Sequence, residues 1–269
     1  MFRKISKVKM LLCLLLWSVS AVGTAQPAIN LRDAQGRKQG YWEAVDSEGR
    51  PVYSGYFKND KPIGEMKRYH PQGGVRVIMN YREGSNKVFT RFFWQNGATA
   101  AEGNYAGNKR DSLWVFYSYH TRKKTIQQPY ANGMRNGQSQ SFYSNGSVNE
   151  EVNWINDKKE GPWRQFFESG GLKLTATYRN NQLEGSFTVY YPDGKEETVG
   201  QYRNNLPEGE WIHYNSDGTV AATVEYRNGI IANREQLAEK EQQFFRKIEA
   251  EKGRIREPEV EDFLREARE

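Results

Sequence analysis

GPWRQFFESGGLKLTATYRNNQLE (161–184), GSFTVYYPDGKEETVGQYRNNLPE (185–208) and GEWIHYNSDGTVAATVEYRNG (209–229) are one phrase written three times. Gly161, Gly185 and Gly209 stand 24 residues apart. Two positions after each comes Trp163, Phe187 or Trp211, and three further on Phe166, Tyr190 or Tyr214. A turn glycine follows at Gly170, Gly194 or Gly218, and a closing ring at Tyr178, Tyr202 or Tyr226. Identity at a fixed period of this length marks an array of supersecondary units, each burying its apolar side against its neighbours.

The same ruler reaches back along the chain. Units start at Gly40, with Trp42, and at Gly64, where Met66 takes the tryptophan place and Tyr81 closes. At 88 a worn copy has Val88 for the glycine and Thr90 for the ring, while Phe93, Gly97 and Tyr105 keep phase. The next, from Ser112, keeps Trp114 and Tyr117 but has Thr121 at the turn, and Pro129-Tyr130 falls one residue late, so one residue is inserted there. From Gly137 through Phe142, Gly146 and Trp154 the phase returns. Eight units fill 40–232.

Within units the apolar period is two. Leu172, Leu174, Ala176 and Tyr178 share one face while Lys173, Thr175 and Thr177 take the other, as strands require. Pro192-Asp193-Gly194, Ser144-Asn145-Gly146 and Asn-rich pairs such as Asn180-Asn181 are hairpin-turn chemistry. The expected fold is all-β: an elongated antiparallel ribbon of hairpins in a single sheet, sixteen strands at ~4.8 Å spacing, with a helical tail.

The ends differ. Residues 1–25 read as an export signal: Arg3, Lys4, Lys7 and Lys9, then an apolar run from Met10 to Val22, then Gly23 and Ala25 before cleavage at Gln26. Its removal takes four positive charges and the only cysteine, Cys13, lowering the net charge from +6 to +2. Without those charges the chain lacks the dense basic patch a nucleic-acid partner needs, and it has no disulfide. Residues 26–39 form a polar lead. After Ile231 the repeat stops. Residues 233–269 form a charged tail, with Asn233 as an N-cap, an apolar stripe of Leu237, Phe244, Phe245 and Ile248, and a second short helix after Pro258 carrying Val260, Phe263, Leu264 and Ala267.

The pattern Gly209, Trp211, Tyr214, Gly218, Tyr226 resembles the MORN repeat, particularly its bacterial variant, and the resemblance spans Gly40 to Gly229. It implies an elongated hairpin sheet that serves as a scaffold or recognition surface and has no activity of its own. Some bacterial relatives are labelled antitoxins; an export signal places this chain in the wrong compartment for that role. The departures at Val88, Thr90, Ser112 and Thr121 point to a bend or a specialised surface.

Catalytic constellations are not evident. His70, His120 and His213 are far apart in sequence, and neither a nucleophile elbow nor a phosphate loop occurs. Glu150-Glu151 and Glu196-Glu197 would point to opposite faces of strands. The expectation is no enzyme, no cofactor and no metal. Trp42, Trp114, Trp163 and Trp211 are either stacked rings of the ribbon's own spine or an exposed platform for sugars or a partner's apolar groups. Phe244, Phe245 and Ile248 either cap the last edge of the ribbon or dock a separate protein. The functional expectation is an exported scaffold, periplasmic or on the outer surface, that holds proteins of the bacterial envelope together. The alternatives are a cell-wall polysaccharide binder and an antitoxin-like protein.

Overall fold

The computed structural model describes residues 29–251. The expected signal segment, the first residues of the lead and the second tail helix lie outside the described residues. Nineteen strands form one antiparallel sheet. Sixteen have six to nine residues; Leu31–Arg32, Met134–Arg135 and Ile230–Ile231 have two. Pairing runs along the chain, from Leu31–Arg32 with Lys38–Val45 to Val220–Arg227 with Ile230–Ile231, and Lys124–Ala131 pairs with both Met134–Arg135 and Gly137–Phe142. The single-sheet hairpin ribbon is thus as the alternation predicts.

Two kinds of turn alternate. Along one edge lie two-residue turns such as Asn180-Asn181 between Arg179 and Gln182, with φ of 49° and 68°, the primed geometry that matches strand twist. Asn59-Asp60, Asn156-Asp157, Asn204-Asn205 and Asn228-Gly229 repeat it. Along the other edge, loops such as 167–171 close with the Phe167 amide on the Gly171 carbonyl (2.7 Å) and the Gly170 amide on the Phe167 carbonyl (2.8 Å). In the fourth unit that loop is 118–123, one residue longer, and Arg122 at φ 58° takes the glycine's place. The inserted residue read from the sequence sits there.

The glycine that opens each unit belongs to no turn. Ala176 pairs with Phe187 but Tyr178 with Leu183, so a four-residue step on the later strand opposes a two-residue step on the earlier one. The excess forms a bulge at Gly185, φ 83°, a backbone state that β-branched side chains strongly resist. At the worn copy Val88 cannot adopt it. There Val77–Phe92 to Tyr81–Val88 pair without a register shift. The two residues used for a bulge elsewhere lengthen the connection instead: six residues separate the paired Tyr81 and Val88, where four separate Tyr178 and Leu183.

A bulge frees an amide, and the neighbouring turn satisfies it. The Lys159 amide donates to Asn181 Oδ1 (2.7 Å) and that of Leu183 to Asn205 Oδ1 (2.7 Å), while Lys38 and Arg135 donate to Asp60 and Asp157. The turn amides return the bond: Asn181 to the Lys159 carbonyl and Asn205 to that of Leu183. Where the donor is Pro207, with no N–H, the turn carries Gly229, which keeps only the returning bond, 3.0 Å.

The ribbon ends differently from expectation. Arg234–Glu251 is helical, but the side chain of Asn233 does not cap it. Its Oδ1 accepts the Glu225 amide (3.1 Å) and its Nδ2 donates to the Thr223 carbonyl (3.1 Å), as the next strand's backbone would. Asn233 therefore closes the last edge, leaving its own carbonyl to accept the Leu237 amide. The expected capping of that edge by Phe244, Phe245 and Ile248 is corrected: they are 61%, 58% and 48% exposed. The edge groups are taken instead by Ile230–Ile231 and by the Asn233 side chain.

Candidate functional site

One face of the sheet carries the rings. Two residues after each unit start stand Trp42, Met66, Thr90, Trp114, Ser139, Trp163, Phe187 and Trp211, and from Met66 onward each faces a residue of the preceding closing strand. Gly103 lies under Trp114 and Gly200 under Trp211: a Cβ built on either would come within 2.5 or 2.2 Å of the indole. The pairs trade volume. Where the earlier residue is large, as in Met79–Thr90 and Gln128–Ser139, the later one is small. In the fifth unit the ring enters from the closing strand, Trp154 donating Nε1–H to Ser139 Oγ at 2.8 Å.

Cations lid this spine at the position two before four of the eight starts. Lys38 stands 4.7 Å from the Trp42 ring, Arg110 4.9 Å from Trp114, Arg135 3.6 Å from Trp154 and Lys159 4.7 Å from Tyr178. Such contacts hold a positive charge over the ring's negative face. The opposite face is polar. There Glu102 accepts Tyr117 Oη–H (2.7 Å) and Arg91 Nε–H (2.8 Å). Burial, then the bond to Glu102, pushes the Tyr117 phenol up to about 12.

The spine is interrupted at the worn third unit. Met79 stands across from the buried Thr90, and Tyr105 packs edge-on against Trp114 at 5.0 Å, as Tyr202 does against Trp211 at 5.1 Å. A hollow of about 440 Å³ remains, lined by Met79, Tyr81, Val88, Thr90, Tyr105 and the Asn108 turn. A second, about 600 Å³, lies along the turn edge beside Lys61, Ile63, Arg82 and Val88. A third, about 670 Å³, lies beside Glu65, Asn80, Arg82, Lys87 and Phe89. Tyr81 lines all three. Around them Lys58 pairs with Glu83 (3.0 Å) and Lys87 with Asp111 (2.5 Å). Among the described residues Lys61 and Arg82 face no carboxylate.

The residues singled out from sequence lie elsewhere. Trp114 is 0% exposed, Trp211 6% and Trp42 9%; Trp163 is half-buried and donates Nε1–H to Glu150 Oε1 at 2.7 Å. As platforms for a sugar or partner, the first three are corrected: their ring faces are covered by neighbouring units and cations. The structure does not bring the four together with Phe244, Phe245 and Ile248. His70 reaches the Phe93 carbonyl (3.2 Å) and His213 the Thr198 hydroxyl (3.0 Å), each within the sheet. The hollow's own residues were legible in part: Val88 and Thr90 break the repeat and Tyr81 and Tyr105 are its closing rings, but nothing in the period announces Lys61 or Arg82.

A MORN repeat variant model matches residues 62–83, 135–156, 159–180 and 207–228. No curated protein matches the chain. Among solved structures the chain is similar to part of "Crystal Structure of TarM", at 16% identity and TM-score 0.28 over 38% of this chain and 20% of that one. It is likewise similar to S. aureus TarM in a mutant form in complex with fondaparinux, alpha-GlcNAc-glycerol and UDP, at 14% identity and TM-score 0.29 over 45% and 21%. The chain spans about a fifth of the length of those structures, and a likeness at that level carries nothing for its fold or function. Repeats of the matched family serve in general as scaffolds for protein and membrane interaction. Four copies match, the units from Gly40, Val88 and Gly185 keep their phase and strand pattern, and that from Ser112 keeps the strand pattern around its one inserted residue: the chain belongs to the MORN-repeat family.

Proposed function

We propose that this chain is a non-enzymatic scaffold that holds proteins of the bacterial cell envelope together along an extended sheet, carried there by residues 1–25 acting as an export signal. The observation that carries the reading is the open ribbon. Each long strand pairs with the long strands before and after it in the chain, and the rings are spent on the sheet's own spine. What the ribbon offers is length, two long faces and open hollows near the third unit, all suited to holding partners. The burial of Trp42, Trp114 and Trp211 weighs against the polysaccharide alternative, which needs uncovered ring faces.

The test has two arms. Expressed from its full sequence, the protein should be recovered from the envelope fraction with Gln26 as its first residue; uncut protein in the cytosol would overturn the export part. Affinity capture from gently solubilised envelopes should return the same proteins with the full ribbon and lose them when the third and fourth units are exchanged for copies of the sixth and seventh. Equal recovery on purified wall polymer alone would favour the glycan reading.

A further inference from the structure

We infer that the hollow beneath Tyr81 and Tyr105 receives an aromatic side chain from an acidic segment of a partner protein. The inference rests on the scaffold reading and names what that scaffold holds. Its first ground is volume. Along the spine face a glycine or small residue usually faces a ring, as Gly103 faces Trp114. At the third unit Met79 faces Thr90 instead. A thioether chain is thinner than an indole and adapts to what lies beside it. About 440 Å³ is left open between Val88 and Tyr105.

The second ground is the character of the walls. Rings along this spine meet edge-to-face, as Tyr202 meets Trp211 at 5.1 Å. A partner's ring entering the hollow would find the sides of Tyr81 and Tyr105 in the same relation, a geometry aromatic pairs prefer. Buried aromatic anchors in pockets are also where interfaces concentrate their affinity.

The third ground is charge. Tyr81 and Val88 also line the adjoining hollow of about 600 Å³, which holds Lys61 and Arg82. The nearby acids are already used, Glu83 by Lys58 and Asp111 by Lys87. Two cations facing no carboxylate beside an apolar hollow complement a ring followed closely by acidic residues. A glycan would bring no charge for them. A second copy of this chain could offer Phe244 and Phe245, exposed on a helix that also carries Glu241 and Glu249, so self-association is the competing outcome of the test.

The experiment titrates the acetylated, amidated tetrapeptide Trp-Gly-Asp-Asp onto the full chain, following the methyl resonances of Met79, Val88 and Thr90. Saturable shifts at all three are expected, and none with an Ala-Gly-Asp-Asp peptide. Lys61→Glu with Arg82→Glu, both at exposed positions, should weaken binding by about tenfold or more and leave the melting temperature unchanged. Met79→Gly with Thr90→Trp supplies the ring from the chain itself and should abolish binding. If that double variant does not fold, the charge reversal and the alanine peptide decide the matter. Equal binding of the alanine peptide would reduce the site to an anion contact, and unmoved methyls, or self-association that the peptide does not compete, would overturn the inference. Envelope partners captured equally by wild type and both double variants would sink the hollow and leave the scaffold standing.

Discussion

Gly103 and Gly200 are small because a tryptophan lies on them. Adding one methyl forces an indole held by two further strands to move, and overpacking of this kind costs about 1–3 kcal/mol. Gly103→Ala and Gly200→Ala should each lower the denaturation midpoint clearly. Gly55→Ala meets Met66 at 3.1 Å and should cost less, because the methionine chain can shift. Trp114→Ala, at a fully covered ring, should cost about 3–5 kcal/mol. The loop carboxylates add a pH dependence. Hydrogen bonds from Arg50 and neighbouring amides hold Asp46 below its ordinary value. Burial pushes Asp33 up, but bonds from Arg37 and Gln39 prevail and bring it to about 2. A folded-state value below the unfolded one, near 3.9, means stabilisation that is complete above about pH 4 and lost as pH falls toward 2. Acid titration of the melting temperature should show that decline, and Asp33→Asn should flatten it. Tyr117 works in the opposite sense: its contribution is complete below about pH 10 and fades as pH rises toward 12.

At the scale of the element, the two-residue turns have a second task besides reversing the chain. Asn205→Gly keeps the positive φ but removes the acceptor for the Leu183 amide, and should cost about 1 kcal/mol. Asn205→Ala loses the acceptor and strains the backbone as well, so its cost should be larger. Gly229→Asn is the control: its partner position is Pro207, so no comparable gain in stability is expected. Equilibrium unfolding of the three variants separates these outcomes. Strands and turns were legible in the sequence because period-two alternation and Asn-Asn or Asp-Gly pairs report local geometry directly. The bulges were not. Their cause, a positive φ at Gly185 or Gly209, leaves the same letter as a turn glycine, and only the pairing across to Leu183 or Glu208 tells the two apart. Val88 was readable as a departure, but its effect, a straight strand and a longer turn, required the register.

At the scale of the molecule, the tail was the least legible part. Asn233 has the sequence signature of a helix cap and is spent on the sheet edge instead, a choice set by the unpaired Glu225 and Thr223 groups and invisible in local sequence. Ending the chain after Asn233 should therefore leave thermal stability unchanged. Ending it after Ile231 should speed hydrogen exchange at Glu225 and promote edge-to-edge association, read by sedimentation. The four tryptophans illustrate a related limit: spacing places a ring on a face but does not say whether the next unit covers it.

Pairing between successive long strands gives the ribbon a mechanical character. Its two termini leave from opposite ends, so tension between them pulls across the strands and loads the outermost backbone bonds one after another. Such a body should yield by peeling, in even low-force steps, each freeing one 24-residue repeat, on the order of 80 Å of extended chain. Held between two anchored partners, it would behave as a tether that lengthens under strain and rewinds when released.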